Sequence, residues 1–431
     1  VYSNSGLCGM SHSFHNMCKN HLGRSAEKAV KHPIIINSWE AMYFDITEKR
    51  IENLVRSCRG LGIDTFVLDD GWFGCRKSDN SSLGDWYIDK NKFPNGLKNI
   101  ISICKENGMS FGIWFEPEMI SENSELYRRH PDWCIHTPGC APIESRSQLV
   151  LDMARSEVVD CIYNQLAALL NEYDITYVKW DMNRNITDNG SASLSADAQG
   201  EHAHRYILGV YSLMDRLTKA FPNVLFEGCA GGGGRFDFGI LYYMPQIWTS
   251  DDTDAVERLK IQYGTSMVYP ISAMTAHVSA CPNHQTGRIT PFKTRGDIAQ
   301  ICNFGYELDA SKLSSDETEQ IKEQIKLHRK IEPMIYNGDF YRLISPFESD
   351  CCCWQIAAQD KKTSAVVFAA QKATPNSGGF YIKLRGLDPE SIYTVSPMNI
   401  KLHGKTLMNA GLPITKEYFD FNTAIFELTA E

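Results

Sequence analysis

The chain has 431 residues, of which 43% are hydrophobic and 22% are charged, and its formal net charge is −9. This composition is ordinary for a globular protein with one large domain and one smaller domain. Because an acidic chain offers no broad cationic field, neither nucleic acid nor an anionic membrane surface is expected as a partner. No apolar run reaches the roughly 18 residues of a membrane-spanning helix, so no such helix is predicted.

The 14 cysteines are scattered and form no CxxC pair. Cys134, His136 and Cys140 resemble half of a zinc site, but no second half follows, so no metal is expected. Scattered cysteines in a chain of this length typically stay reduced in a cytosol, and a cytoplasmic location is expected. The first residues have neither a basic start nor an apolar core, so they are not expected to be a signal peptide.

From about residue 33 to about residue 308, short apolar runs alternate with amphipathic stretches. The strand-like runs are Ile34–Asn37, Thr65–Leu68, Ser110–Trp114, Leu149–Leu151, Thr176–Trp180, Val224–Phe226, Gln246–Trp248 and Met267–Ile271. The helix-like stretches are Thr47–Leu61, Pro94–Asn107, Ser156–Glu172, His202–Ala220 and Asp254–Thr265. This alternation predicts an α/β fold, a (β/α)8 TIM barrel over residues 33–332. The structural alternative is a doubly wound sheet, whose usual Gly-rich first turn is absent.

After a last predicted helix, Ser315–Glu332, the pattern changes to short strands separated by turns. The predicted strands are Phe340–Leu343, Trp354–Ala358, Ala365–Ala370, Gly379–Leu384 and Ser391–Val395. They predict a small C-terminal antiparallel β-sandwich over residues 333–431. Residues 1–32 have no clear period and are expected to lead into the barrel.

Two adjacent carboxylates, Asp69 and Asp70, follow the strand-like run Thr65–Leu68. Successive strand residues point to opposite faces, but at a strand end both side chains can turn toward a cleft. Carboxylates in that place suit hydrogen bonds to the hydroxyls of a sugar, because barrel sites form at the carboxyl ends of the strands. The alternative is an Asp-Gly turn with one helix-capping aspartate.

Four tryptophans, Trp39, Trp72, Trp114 and Trp180, lie at or just past predicted strand ends. Sugars present flat C–H faces that stack on aromatic rings, and tryptophan offers a large, rigid face. Each of them alone is better explained by a place in the core. Four of the eight tryptophans at strand ends nevertheless indicate a pocket lined by rings.

The segment Lys179-Trp180-Asp181 is the sharpest signal in the sequence. Because Lys179 and Asp181 are two residues apart, they point to the same face of the predicted strand. A nearby ammonium stabilises a carboxylate and keeps it ionised, which a glycosyl nucleophile requires. The alternative is a buried structural ion pair.

A second set of carboxylates, Asp251, Asp252 and Asp254, follows the predicted strand Gln246–Trp248. Aspartates also suit a helix N-terminus, and Asp252 or Asp254 is explained by that role alone. Asp251 is nearest the strand and is the best candidate for a general acid. In a parallel barrel, Asp181 and Asp251 would share one pocket, and two such carboxylates are what glycosidic bond cleavage needs.

Four successive glycines lie in the segment Glu227–Arg235, which follows another predicted strand. Glycines let a backbone come close to a ligand. A phosphate-binding loop is one alternative, but the Lys-Ser/Thr that completes it is absent. Cys229 as a thiol nucleophile is another alternative, with no orienting His-Asn pair evident.

Together these segments resemble the α-galactosidases of glycoside hydrolase family 36, over roughly residues 5–310. The motifs that carry the resemblance are Asn37–Ala41, Leu68–Gly74, Ser81–Trp86, Trp114–Met119, Lys179–Arg184, Cys229–Arg235, Trp248–Arg258 and Thr286–Arg288. Members usually carry a large β-sandwich domain ahead of the barrel, and this sequence lacks it. Gly231 stands where many members have serine.

The resemblance implies a retaining hydrolase that releases terminal α-galactose from melibiose and raffinose-type sugars, with no metal or organic cofactor. It implies Asp181 as the nucleophile and Asp251 as the acid/base. The galactose-binding residues that it implies are Trp39, Asp69, Asp70, Trp114, Arg146, Lys179, Asn183, Cys229 and Gly231. It also implies a homo-oligomer, which is a tetramer in the family. The alternatives are a galactosyl transferase, an α-N-acetylgalactosaminidase and a non-catalytic galactose-binding fragment.

Overall fold

The computed structural model describes residues 2–22, 32–373, 379–414 and 419–431. Within these ranges eight strands close a barrel, in which each strand lies beside the next one along the chain. The barrel strands are β1 (Ile35–Asn37), β2 (Thr65–Leu68), β3 (Ser110–Phe115), β4 (Tyr177–Trp180), β5 (Leu225–Gly228), β6 (Gln246–Trp248), β7 (Met274–Ser279) and β8 (Asn303–Glu307). The pairs from β1 to β6 are parallel. The predicted TIM barrel is therefore confirmed.

Helices connect the strands in the way that parallel pairing requires. In chain order the described helices are Gly6–His21, Trp39–Met42, Glu48–Ser57, Lys98–Glu106, Glu125–Arg129, Ser156–Glu172, His202–Ala220, Phe238–Tyr243, Ala255–Thr265, Phe292–Ala299, Ser315–Asn337 and Gly404–Asn409. Short 3-10 turns lie at Pro131–Trp133, Ala196–Glu201, Ile271–Ala273 and Ala310–Lys312. None of the helices in the described ranges has the length and apolarity needed to cross a membrane.

Two of the eight predicted barrel strands are wrong. Leu149–Val150 is a strand, but it pairs antiparallel with Met119–Ile120 outside the barrel. The apolar residues at 267–271 follow the helix Ala255–Thr265, and the strand begins only at Met274. The barrel also uses β8, whose sequence has a central glycine and no β-branched residue, so the sequence analysis did not predict it.

The barrel interior is set by the alternation of side chains along its strands. Ile35, Val67, Tyr177 and Leu225 form one buried cluster, although they come from β1, β2, β4 and β5. Side chains from strands so far apart in a closed barrel meet only on its inner side. On β3 the corresponding residue is Gly112, where an added Cβ would lie 2.9 Å from the Cβ of Tyr177. These positions define the inward-facing set of each strand.

The C-terminal strands form two sheets. They are β9 (Asp339–Ile344), β10 (Cys351–Ala357), β11 (Thr363–Ala370), β12 (Phe380–Ile382), β13 (Ile392–Ser396), β14 (Ile400–His403), β15 (Leu412–Ile414) and β16 (Thr423–Ala430). One sheet has the order β9-β10-β11-β16-β13-β14, and β12 pairs with β15. A shared core contains Phe368 from the first sheet and Ile382 and Leu412 from the second, as a sandwich requires. Of these strands, β14, β15 and β16 were not predicted.

The chain divides into two compact units. One comprises Ile35–Trp248 and Glu307–Lys312, and the other comprises Val1–Ile34, Thr249–Tyr306 and Leu313–Glu431. The domain boundaries at 32/33 and 332/333 stay predictions, and the helix Ser315–Asn337 runs past the second of them. Of residues 1–32, the described part forms the helix Gly6–His21, and residues 23–31 lie outside the described ranges.

Candidate active site

The predicted site residues follow the inward-facing positions at the carboxyl ends of the strands. On β4, Tyr177 belongs to the inner cluster, so Lys179 also faces inward and Asp181 continues the same series just beyond the strand. Asp69 stands two residues after Val67 in the same way. Trp114 is two residues after Gly112 and Cys229 is four residues after Leu225, so both keep the inward-facing parity. The pleat of the strands thus aims these side chains at one end of the barrel.

Asp69 contacts side chains from two other strands at this end of the barrel. Its Oδ2 accepts hydrogen bonds from the Nζ of Lys179 at 3.0 Å and from the Nδ2 of Asn37 at 2.7 Å. Both partners of the ion pair are buried. Burial lowers the pKa of Lys179, but the negative charges of Asp69 and Glu307 outweigh it and hold that pKa well above its ordinary value. The expected ion-pair partner of Lys179 was Asp181; the direct partner is Asp69.

The carboxylate of Asp181 is held on both of its oxygens. Oδ2 accepts from the indole Nε1 of Trp114 at 3.1 Å and from the Nδ2 of Asn183 at 2.8 Å. Oδ1 accepts from the backbone N–H of Met182 at 2.8 Å and faces the N–H of Gly231 at 3.4 Å. These donors fix the plane of a buried carboxylate, which is the preorganisation that a nucleophile requires. Three of the four residues, Trp114, Asn183 and Gly231, belong to the set that the resemblance implied.

Glu116 is completely buried and is near enough to Asp181 for the two charges to interact. One of its oxygens accepts from the backbone N–H of Asn183, and the other accepts from the Nε2 of Gln148 at 3.2 Å. Burial, reinforced by the charge of Asp181, raises the pKa of Glu116 to about 8. At neutral pH Glu116 is therefore largely a neutral acid that supports the loop after Asp181.

Asp70 points away from Asp69, as neighbouring strand residues must. The guanidinium of Arg76 holds it with two parallel hydrogen bonds, Nε to Oδ1 at 2.9 Å and Nη2 to Oδ2 at 2.7 Å. Both side chains are buried, and the charge of Asp70 raises the pKa of Arg76 although burial opposes it. Arg76 also donates to the carbonyl of Ser81, so the pair orders the loop after β2.

The four tryptophans have different roles in packing. Trp72 and Trp180 are fully buried, and Trp72 donates its indole N–H to the carbonyl of Trp114 at 2.9 Å. These two belong to the core, as the alternative interpretation had it. Trp114 is equally buried but presents its N–H to Asp181, and half-buried Trp39 packs edge-on against Tyr43. Only Trp39 and Trp114 therefore stay candidates for contact with a sugar.

Arg146 lies in a strained turn. Arg146 and Ser147 have φ of 53° and 55°, and the flanking Ser145 and Gln148 exchange backbone hydrogen bonds of 3.1 and 3.0 Å. This is a two-residue hairpin turn with both central residues in the left-handed region, which normally carries Asn-Gly. The exposed Arg146 side chain reaches toward the carbonyl of Asn183 at 3.4 Å.

The Gly-rich loop begins where β5 ends. The N–H of Cys229 donates to the carbonyl of Trp180 at 2.7 Å, and Gly234 N–H donates back to Ala230 at 3.2 Å. Gly231 has φ of 53°, and a Cβ there would meet nothing within 4 Å. The left-handed backbone therefore favours glycine at 231, while the space beside it is open.

Asp251 is half-buried and belongs to the compact unit that includes Thr249–Tyr306, whereas Asp181 belongs to the unit that includes Ile35–Trp248. The backbone beside it is anchored by Arg258, whose guanidinium donates to the carbonyls of Ser250 at 2.9 Å and Thr275 at 2.6 Å. This anchoring gives Asp251 a defined place after β6. The convergence of Asp181 and Asp251 on one sugar stays a prediction.

Asp254 has the structural role that the sequence analysis allowed for it. It caps the helix Ala255–Thr265 by accepting from the N–H of Val256 at 2.8 Å, and Arg288 donates to it at 2.6 Å. Burial raises the pKa of Asp254, but hydrogen bonds from Thr286, Val256 and Arg288 bring it below its ordinary value. Asp254 is thus explained without a part in chemistry.

Several residues of this site were not singled out from the sequence, namely Asn37, Arg76, Glu116, Glu118, Gln148 and Arg235. Asn37 had a usable signal, because it follows Ile35 at the inward-facing spacing. The others act through contacts between distant segments, which no local pattern reveals. Within the described residues, no group of three or more His, Cys, Asp or Glu is arranged to hold a metal ion.

A closed parallel barrel with carboxylates and aromatic rings at the carboxyl ends of its strands is the arrangement on which barrel enzymes build their sites. The family model "Melibiase" matches residues 1–338, and the model "Glycosyl hydrolase family 36 C-terminal domain" matches residues 351–428. The chain therefore belongs to the melibiases of glycoside hydrolase family 36, as the resemblance indicated.

Individual relatives agree with this assignment. The chain is 49% identical to α-galactosidase AgaA of Geobacillus stearothermophilus over 100% of its length and 59% of the relative's. It is 48% identical to the bifunctional α-galactosidase/sucrose kinase AgaSK of Mediterraneibacter gnavus, over 99% of this chain and 45% of AgaSK. The crystal structure of AgaA superposes with a TM-score of 0.98, over 100% of this chain and 60% of that chain. The chain thus spans less than two thirds of these relatives.

Proposed function

We propose that this chain carries the active centre of a retaining α-galactosidase that hydrolyses melibiose and raffinose-type α-galactosides. The observation that carries the proposal is the Asp181 carboxylate, oriented through both oxygens by Trp114, Asn183 and Met182 beside the Asp69–Lys179 pair. The relatives support the substrate class. Variants of AgaA have been crystallised in complex with raffinose and with stachyose.

In the proposed mechanism, Asp181 attacks the anomeric carbon while Asp251 protonates the glycosidic oxygen. The bond from the anomeric carbon to the leaving oxygen breaks as the bond to Asp181 forms. Asp251, now a base, deprotonates a water that attacks the glycosyl–Asp181 ester and releases galactose with retained configuration. This double displacement requires the two carboxyl groups to be about 5–5.5 Å apart when the sugar is bound.

The proposed galactose contacts divide by chemistry. Asp69 and Lys179 offer an acceptor and a donor to neighbouring hydroxyls, because each has bonding capacity beyond their ion pair. Asn183 and Arg146 supply further polar contacts, and Asp70, although Arg76 holds both of its oxygens, keeps acceptor capacity for a hydroxyl. Trp39 provides apolar ring surface, Trp114 reaches the site through its indole N–H, and Cys229 and Gly231 line the backbone side of the pocket. No cofactor is needed, since both catalytic groups are side chains.

The test is a rate measurement on p-nitrophenyl α- and β-galactosides, with the corresponding glucosides as controls. We expect turnover of the α-galactoside alone, and NMR should show α-galactose as the first product. Asp181→Ala should nearly abolish turnover, whereas Asp174→Asn, which changes an exposed surface carboxylate, should leave it unchanged. A folded chain without α-galactoside turnover, or an active Asp181→Ala variant, would contradict the proposal.

Product analysis with raffinose and excess sucrose separates hydrolysis from galactosyl transfer, and an N-acetylgalactosaminide tests the pocket at the 2-position. Assembly into a tetramer stays a prediction that light scattering of the purified chain checks. A reducing compartment is proposed because all 14 cysteines are free.

A further inference from the structure

The carboxylate of Glu118 is fully buried and accepts four hydrogen bonds. Arg235 donates Nη1 to Oε2 at 2.9 Å and Nη2 to Oε1 at 2.8 Å. The indole N–H of Trp180 donates to Oε1 at 3.0 Å, and the hydroxyl of Tyr206 donates to Oε2 at 2.8 Å. The charge of Arg235 and these donors overcome the effect of burial, so the pKa of Glu118 is lowered and the group is an anion at neutral pH.

These donors come from three separate segments. Trp180 is the last residue of β4 and immediately precedes Asp181. Tyr206 lies on the helix His202–Ala220, and Arg235 ends the Gly-rich loop that begins at Cys229. Glu118 therefore ties the strand that carries Asp181 to the far end of the loop, while the N–H of Cys229, bonded to the carbonyl of Trp180, fixes its near end.

Stability alone is a poor explanation for this ion pair. Removing both charges from water is expensive, and replacing a buried ion pair by neutral side chains of similar size is often neutral or stabilising. A buried pair of this kind is better suited to fixing a geometry, because a bidentate Arg–carboxylate contact constrains both distance and angle. The geometry in question is the loop between its two anchors, which contains four successive glycines and has little stiffness of its own.

We infer that Glu118 and Arg235 are positioning residues, which hold the Gly-rich loop so that the N–H of Gly231 faces Oδ1 of Asp181. This inference rests on the proposed function for its catalytic consequence. The N–H of Gly231 is 3.4 Å from Oδ1, so a small displacement of the loop removes this donor. The same displacement moves Gly231 away from the place proposed for the sugar, while Cys229 stays anchored to Trp180.

The decisive variant is the double substitution Glu118→Gln/Arg235→Met, which removes both charges at once and leaves no unpaired buried ion. We expect a folded protein whose kcat/KM on p-nitrophenyl α-galactoside falls about 100-fold, the scale of a 1 Å misplacement, mostly through kcat. Tyr206→Phe removes one of the four hydrogen bonds without changing charge and should lower kcat several-fold. Arg235→Lys keeps the positive charge but loses the two parallel hydrogen bonds to Glu118, so its kcat should stay below the wild-type value.

The matched control is Glu201→Gln/Arg205→Met, the same pair of substitutions in an ion pair that is about half exposed. It should leave kcat and KM at wild-type values. A folded Glu118→Gln/Arg235→Met variant with wild-type kcat/KM overturns the inference. If that variant does not fold, unchanged kcat in Tyr206→Phe overturns it equally.

Hydrogen exchange of a peptide covering residues 229–235 supplies a readout that does not need activity. Exchange should rise in Glu118→Gln/Arg235→Met and stay at the wild-type level in the control. If the wild-type chain is folded but inactive, the proposed function fails, while faster exchange in the variant still supports the positioning role. Unchanged exchange in a folded variant contradicts that role whether or not the chain is active.

Discussion

The Nζ of Lys179 lies 3.0 Å from Oδ2 of Asp69, which joins β4 to β2 across the intervening strand β3. The ammonium thus holds a carboxylate two strands away, and its charge also contributes to the field around Asp181. The pair lies at the ends of the inner faces of the strands. It therefore links two barrel strands and also places its two charges near the proposed site.

Lys179→Met should destabilise the chain by about 3–5 kcal/mol, because it leaves the buried Asp69 carboxylate without its counter-charge. Lys179→Met/Asp69→Asn should regain most of that stability but not activity, since both proposed galactose contacts are lost. Urea unfolding and the rate on p-nitrophenyl α-galactoside measure the two effects. As a control, Lys105→Met breaks an exposed ion pair and should change stability by no more than about 1 kcal/mol. Equal losses in the two single variants would contradict the buried-pair account.

Substitution of Asp251 should mainly lower activity, whereas substitution of Asp254 should mainly lower stability. Asp254→Ala should lower the unfolding free energy by about 1 kcal/mol or more, because it removes a helix cap and the partner of Arg288. Asp251→Ala should cost less stability than Asp254→Ala, and it should lower kcat/KM more on raffinose than on p-nitrophenyl α-galactoside, whose leaving group needs no proton. Melting curves and the two rate constants test this. Equal loss on both substrates would remove Asp251 from the role of acid.

The pKa of Glu116 is about 8 in the folded protein, against an ordinary value of 4.5. Because the folded state binds this proton more tightly, the stabilisation is fully present below about pH 4.5 and is lost as pH rises toward 8. Over that window wild-type stability should fall by up to about 1.4 kcal/mol per pH unit from this group alone. Glu116→Gln cannot ionise, so its stability should gain on wild type as pH rises.

Thermal unfolding of wild type and Glu116→Gln at pH 5 and pH 8 checks this pH dependence. The exposed helix residue Glu319 offers the control, since Glu319→Gln should follow the wild-type curve. Parallel curves for wild type and Glu116→Gln would show that Glu116 does not bind its proton in this window.

Ser147→Gly should stabilise the hairpin turn. A non-glycine residue in the left-handed region costs about 1–2 kcal/mol. Glycine removes this cost, but its greater conformational entropy in the unfolded chain offsets part of the gain in stability. The net gain should be up to about 1 kcal/mol in urea unfolding, with KM unchanged because Arg146 keeps its place. Ser145→Gly, two residues earlier and outside the left-handed pair, should not stabilise. A rise in KM for Ser147→Gly would mean that the strain itself holds Arg146.

Much of the fold was predictable because barrel strands are buried on both sides and read as apolar runs. The failures have the same cause. Leu149–Leu151 and Met267–Ile271 are apolar runs too, yet one is in a small hairpin and the other follows a helix. Asn303–Glu307 carries asparagine, glycine and glutamate inside the barrel, where tertiary contacts override β-propensity.

For the site, the sequence predicted the face on which side chains lie better than it predicted which residues they contact. The period of two placed Lys179 and Asp181 on one face, in agreement with the described strands, but it did not decide which of Asp69 and Asp70 faces inward. It could not predict that Lys179 would pair with Asp69, because the choice depends on the distance between two strands that are 110 residues apart. Glu116 and Glu118 were visible within a motif, but their burial against Asn183 and Arg235 depends on loops with no periodic pattern.

The alternation along β4 has a consequence for how this protein tolerates change in length. Deleting one residue just before Tyr177 would turn Val178 inward and send Lys179 toward the helices, so one lost codon would break the charge pair although Lys179 and Asp69 are both still present. Loops that carry none of the site residues have no such parity and tolerate changes in length better. Natural variants of these barrels should therefore differ in length in the loops, and in the strands they should differ only by substitutions.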